Sequence, residues 1–452
     1  MIVFSVLFLL FTLIMPAEGL SAMDLNSRRI ADDSYIRASL YESWFNESPY
    51  LVLPKAPEIL SLRGGDRVQV RIETSAANRE EFAIVLAREQ NGTFSSWNQG
   101  SWSLIRRMDS DPMGSRILYF PRTDFNIYIQ FRPFNNERSF MDLVIYDAYF
   151  IRSLTLPLSF ERLMIMPMED ILSLIGSSFP RHYLDPQIDR YRDTMSFIGS
   201  VRSRLPELVY IDDGAINENG DFVYINNLMP QNAAAQRGFM GVNCSGFVKW
   251  MVDGILRPIT GQRLAIEPLK EFFGERGSSY TEVWENIRDP FFGLDWIRNL
   301  ASHAGRILRS PSFGTLEEIE VRNIPFSMLN IRRTGVSPGL SYPAFMGEPG
   351  FPMEALLPLL YTLAIDEPGR IYLAAVNNEI SAPTTAANPR AVPRIRQYYH
   401  VAVLIPYFNE RGTFQVAVFE SAAETSIGTF INRYPGEFVN LVRIPIDGRF
   451  DP

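Results

Sequence analysis

Apolar and polar residues alternate with a period of two from about Tyr50 to Phe150, and after about Thr155 they stop doing so. That switch constrains the fold more than any other feature, because a half-buried strand repeats every two residues and an amphipathic helix about every 3.6. In the first part Val68, Val70 and Ile72 alternate with Gln69, Arg71 and Glu73, and Ile127, Ile129 and Phe131 with Tyr128, Gln130 and Arg132. Shorter runs at Phe82–Leu86, Ile117–Phe120 and Leu143–Tyr146 are separated by turn formers such as Gly64-Gly65, Asn91-Gly92 and Asp111-Pro112. Regular short strands with polar turns predict an antiparallel β-sandwich domain over residues 23–155, with binding as its default role. Trp97 and Trp102 lie in a loop containing Gly and Ser, and ordinary packing outweighs ligand contact as their expected role.

Beyond Thr155, Phe160–Ile175 reads as helical with a break forced by Pro167, and Asp189–Arg204 as a further helix. Met164, Met166 and Met168 read as adaptable core. Asn219-Gly220, between Ala215-Ile216 and Phe222–Ile225, signals a hairpin. A calcium loop is excluded there, since the register that puts Gly220 at the turn leaves Ala215 at the first ligand position.

With 452 residues, 46% of them apolar and 21% charged, the chain has core material for two or three domains at about 150 residues each. A net charge of −8 argues against a general nucleic-acid binder, which needs a cationic face for phosphates. There is one cysteine, so no intramolecular disulfide forms and stability rests on packing. Ile2–Met15 is almost wholly apolar and is followed by Pro16 and the small residues Ala17, Gly19, Ser21 and Ala22. Residues 1–22 therefore read as a signal peptide, too short for the roughly 18 to 20 apolar residues of a bilayer crossing. The expected location is periplasmic or secreted, with an uncleaved N-terminal anchor as the alternative; a lipoprotein anchor is excluded because no Cys follows the run.

The strongest chemical signal is Gly241-Val242-Asn243-Cys244-Ser245-Gly246-Phe247-Val248. Phe247, Val248, Met251, Val252 and Ile255 fall on one helical stripe, and Asn243 is a favoured N-cap, so Cys244 opens a helix. Unpaired amides and the positive end of the dipole stabilise an anion there, and a thiolate is the nucleophilic form of sulfur. A free thiol near its reference pKa of about 8.5 stays mostly protonated at neutral pH, so a base is needed. Of the three histidines, His182 reads as a surface residue, His303 as structural, and His400 stands at the head of the apolar strand Val401–Ile405. A turn at Asn409–Gly412 leads to a second strand, Phe414–Glu420. A hairpin centred on residue 410 pairs His400 with Glu420, whose carboxylate would orient the imidazole; a half-residue shift pairs it with Ser421 instead. Three scattered histidines and one cysteine offer no metal-ligand spacing, and no serine-hydrolase elbow, phosphate loop or zinc-protease motif is present. No cofactor or metal is expected.

The Asn-Cys-Ser-Gly-Phe stretch opening a helix, followed by His-Val-Ala-Val-Leu-Ile on a strand and a polar residue ending the next strand, resembles the NlpC-type cell-wall cysteine peptidases. The resemblance implies an α+β, papain-like cysteine peptidase domain over residues 156–452, with a large insertion at about 257–368. It implies Cys244 as nucleophile, His400 as base and Glu420 as orienting residue, with Gly369–Ala374 as the strand before the His hairpin. Tyr224 is a candidate for the cleft hydroxyl that family members carry upstream of the Cys. Asn243 and Ser245 are further candidates for substrate or oxyanion contacts. The expected activity is exported amide hydrolysis in peptidoglycan stem peptides. The alternatives are an envelope-binding protein that keeps the fold without turnover, and an amidase or acyltransferase on another substrate.

Overall fold

The structure, a computed structural model, describes residues 31–62, 65–75, 79–109, 111–232, 241–274, 289–329, 341–381 and 394–452. The expected signal peptide lies outside the described residues. The chain is mixed α+β with two large antiparallel sheets.

Helix α1 (Ser34–Leu40) starts at Asp33, whose carboxylate accepts the Ile36 amide at 3.0 Å. Strands β1 (Glu58–Ser61), β2 (Arg67–Thr74), β3 (Glu81–Arg88), β4 (Trp102–Arg107), β5 (Arg116–Tyr119), β6 (Ile127–Pro133), β7 (Ser139–Ile145) and β8 (Ala148–Leu156) follow as a meander. The alternation works as the period of two requires: Val68, Val70, Ile84, Leu86, Leu104, Ile117, Ile129, Phe131, Met141 and Leu143 share one buried cluster. These strands form one continuous sheet instead of the two hydrogen-bonded sheets of a sandwich. The same cluster includes Ile36 and Leu40 of α1, Phe160 and Leu163 of α2 (Phe160–Ile165), and Ile171 and Leu172 of α3 (Met168–Ser173). Pro167 separates those two helices, as its missing amide demands. Trp102 is buried in this core, its indole N–H donating to Asp32 at 3.1 Å, whereas Trp97 stays 46% exposed beside Phe125.

Helix α4 (Arg192–Arg204) and the small hairpin β9 (Ala215–Ile216) and β10 (Phe222–Val223) lead to the cysteine helix α5 (Cys244–Thr260). Helix α6 (Phe292–Leu308) is followed by strands β11 (Ser327–Leu329) and β12 (Ser341–Pro343), then β13 (Phe351–Pro352) and helix α7 (Leu356–Asp366). Next come β14 (Arg370–Ser381), β15 (Arg394–Phe408), β16 (Phe414–Glu420), β17 (Ala423–Ser426), helix α8 (Ile427–Arg433) and β18 (Phe438–Pro445). The second sheet runs β13-β18-β14-β15-β16-β17, antiparallel throughout. It is buried on both faces, which is why Val401–Ile405 reads as an unbroken apolar run. Val401, Val403 and Ile405 pack with the α5 and α6 side chains, while Ala402 and Leu404 pack with those of α7 and α8.

The segment expected as an insertion is built into both sheets. Its β11 pairs with β8 and extends the first sheet, and α6 covers the second. Among the described residues no helix is long and apolar enough to cross a membrane.

Candidate active site

Cys244 is the first residue of α5, and the Asn243 carboxamide caps the helix by accepting the Gly246 amide at 2.8 Å. That places Asn243 as a cap, worth about 1 kcal/mol, and leaves the Cys244 and Ser245 amides as first-turn donors without a helical acceptor. The helix start is pressed into the preceding chain. The Asn243 amide donates to the Gly214 carbonyl at 2.9 Å, and Val242 bridges Tyr210 in parallel. A Cβ on Gly246 would lie 2.0 Å from the Gly214 oxygen, so only glycine lets the helix come this close. Buried Gln231 clamps Gly241 from both sides, donating to its carbonyl at 2.8 Å and accepting from its amide at 2.8 Å. From α6, the Trp296 indole donates to the Ser245 carbonyl at 2.9 Å. The nucleophile candidate therefore sits on a fixed frame.

His400 lies on β15, paired with Val376 of β14 just before an irregularity in that ladder. Its Nε2 is 2.7 Å from Glu420 Oε2 at the end of β16. With Nε2 occupied by the carboxylate, Nδ1 is the nitrogen left for the sulfur, and the Cys244 and His400 side chains are close enough to interact. Two donors, the Val401 amide and the Ser245 hydroxyl, are also close to the sulfur. Burial pushes the Cys244 thiol up, but His400 and its charge, with those two donors, outweigh burial and bring the thiol below its ordinary value. Burial likewise disfavours the His400 cation, yet Cys244 and Glu420 outweigh it and raise the imidazole to about 9. Glu420 is pushed up by burial and held below the usual carboxylate range by His400 and Arg433. These shifts favour a thiolate–imidazolium pair backed by an ionised carboxylate. Cys244 remains partly exposed.

Cys244, His400 and Glu420 thus come together. Ser421 does not take the third place: it lies in the turn after β16 with φ 50°, while Glu420 holds the imidazole. Ser245 is buried, with its hydroxyl close to the sulfur. Tyr224 sits in the turn after β10, its amide and carbonyl pairing with Met229 and Leu228. Tyr210, 52% exposed, is within electrostatic reach of the sulfur, and its phenol is raised by burial, Asp212 and the Cys244 charge. Arg433 and Tyr434 complete the surroundings, the former bonded to Glu420 Oε1 at 2.5 Å and the latter with its ring 5.8 Å from that of His400. A bridge to Val242 brings in Tyr210 and a helix return brings in Arg433, and neither leaves a periodic trace in sequence. His182 pairs with Asp366 at 3.6 Å at the surface, and His303 is on α6; neither joins the site. Among the described residues no group of three or more His, Cys, Asp or Glu is gathered to hold a metal.

A family model described as a domain of unknown function, DUF8515, matches residues 26–183. The match covers α1, strands β1 to β8 of the first sheet, α2 and α3, and ends before every residue of the site. No curated protein and no solved structure matches the chain.

Proposed function

We propose that this protein is a papain-like cysteine hydrolase of amide bonds, exported to the cell envelope, with peptidoglycan stem peptides as its substrate class. The observation that carries the reading is that the sequence-distant residues Cys244, His400 and Glu420 come together at the start of a capped helix, with His400 bonded to Glu420 and within reach of the sulfur. In the first step the Cys244 thiolate attacks the carbonyl carbon and a C–S bond forms. Charge moves to the carbonyl oxygen, which the free first-turn amides of α5 stabilise. The His400 imidazolium gives its proton to the leaving nitrogen as the C–N bond breaks, leaving a thioester. Neutral His400 then takes a proton from water, the hydroxide oxygen attacks the thioester carbon, and the C–S bond breaks to release the acid and restore the ion pair. Glu420 keeps the ring oriented and stabilises its charged form in both steps.

The substrate class rests on the resemblance of the Cys and His segments to the NlpC-type peptidases and on the signal-like apolar run at Ile2–Met15. The test is digestion of purified sacculi and muropeptides, with released fragments measured by mass. The wild type releases stem-peptide fragments and Cys244→Ala releases none. Equal release by both proteins removes Cys244 from the reaction.

A further inference from the structure

We propose that Arg433 is the positioning residue of this site, sharing Glu420 with His400 so that it holds the carboxylate in place and sets the pH window of the Cys244–His400 pair. The inference rests on the cysteine-hydrolase reading and goes beyond it, since nothing in the Cys and His segments points to an arginine. Glu420 has a side chain only 6% exposed and two oxygens, of which Oε2 meets His400 and Oε1 meets Arg433. A buried carboxylate bonded through one oxygen alone leaves the other unsatisfied, a costly arrangement that favours reorientation or protonation. Arg433 removes that choice.

The chain is folded back to achieve this. Strand β16 ends at Glu420, and Ser421 and Ala422 make the turn with φ of 50° and 66°, a left-handed pair that non-glycine residues rarely adopt. β17 then runs directly into α8, whose last residue is Arg433. The guanidinium sits over the Tyr434 ring at 5.8 Å, with its own side chain still 45% exposed.

Charge alternates along the row: thiolate, imidazolium, carboxylate, guanidinium. The other titratable groups facing it are the phenols of Tyr434 and of Tyr210 with Asp212 on the sulfur side, and Glu437, which accepts from the Tyr399 hydroxyl. With Arg433 neutralised, the row carries one more unit of negative charge and every proton in it binds more tightly. Both the Cys244 thiol and the His400 imidazolium then titrate at higher pH. Because the guanidinium is half exposed and screened, the expected displacement is about half a pH unit.

Cys244 is the single cysteine of the chain, so its alkylation by iodoacetamide reports the thiolate without any substrate. The measurement is the rate of labelling of the full chain against pH for the wild type, Arg433→Gln, Arg433→Met and Arg433→Lys. Methionine keeps an apolar stem over Tyr434, so it remains informative if the glutamine variant does not fold. The expected result is an apparent Cys244 pKa higher by about half a unit in Gln and Met, with Lys close to the wild type. Neutral variants that titrate with the wild type, or a lysine variant displaced as far as they are, overturn the role of Arg433 while leaving the hydrolase reading intact. A wild-type Cys244 that labels no faster than a free thiol at neutral pH sinks both.

Discussion

His400 and Glu420 meet diagonally across the β15–β16 ladder. Val403 pairs with Phe419, so the next step of the register puts Glu420 opposite Ala402, two residues from His400 on the same face. Diagonal neighbours of this kind are within reach of long side chains, and the 2.7 Å contact is the result. Glu420→Gln keeps the shape and loses the charge that helps hold the imidazole near 9. The expected outcome is a fall of about 10²-fold in amide hydrolysis and a His400 titration displaced toward its ordinary value, read by pH-dependent labelling of Cys244. An unchanged titration contradicts the assigned role.

The same shifts set a pH profile. At low pH the Cys244 thiolate is protonated and attack stops; since its thiol lies below its ordinary value, activity extends below the pH where a free thiol ionises. At high pH His400 loses its proton at about 9, and no acid remains for the leaving amine. Initial hydrolysis rates across about pH 5 to 10 should trace a bell that declines above about 9. A rate still climbing at the alkaline end contradicts the imidazolium as the acid.

Gly246 lets α5 approach the Gly214 backbone. Gly246→Ala puts a methyl 2.0 Å from the Gly214 oxygen, and backbone cannot yield as a flexible side chain does. We expect a loss of about 2 kcal/mol in urea unfolding together with slowed labelling of Cys244, because the helix start must move. Wild-type stability and labelling in this variant would show that the close approach is not needed.

Buried Lys249 and Asp253 form an ion pair inside α5, with the ammonium 2.6 Å from the carboxylate and also donating to the Ile216 carbonyl at 2.8 Å. Asp253 further accepts the Leu264 amide at 2.9 Å. Lys249→Met strands a buried carboxylate and should cost about 3–5 kcal/mol, whereas the double change with Asp253→Leu should cost clearly less. Denaturant midpoints of the two variants check this, and equal losses contradict it.

Much of this architecture was legible because it follows from periodicity. The alternation at Val68–Ile72 and Ile127–Phe131 gives β2 and β6, the stripe after Cys244 gives α5, and the doubly buried run Val401–Ile405 gives the centre of β15. The hairpin register was off by one: Phe408 pairs with Phe414, so the centre is residue 411 and not 410. Glu420 was still found, because moving the centre by one displaces the partner by two and returns it to the same face. What stayed hidden depends on contacts between distant segments. Nothing local says that β11 pairs with β8, that Tyr210 bridges Val242, or that α8 carries Arg433 back to Glu420. The Tyr210–Val242 bridge brings a further tyrosine within electrostatic reach of the sulfur.

The central claim is that His400 activates Cys244, and the most direct measurement is the rate of iodoacetamide labelling of that one cysteine near neutral pH in the wild type and in His400→Ala. The account predicts fast labelling of the wild type and a rate at least about tenfold lower without the imidazole. Equal, slow labelling of the two proteins would contradict it.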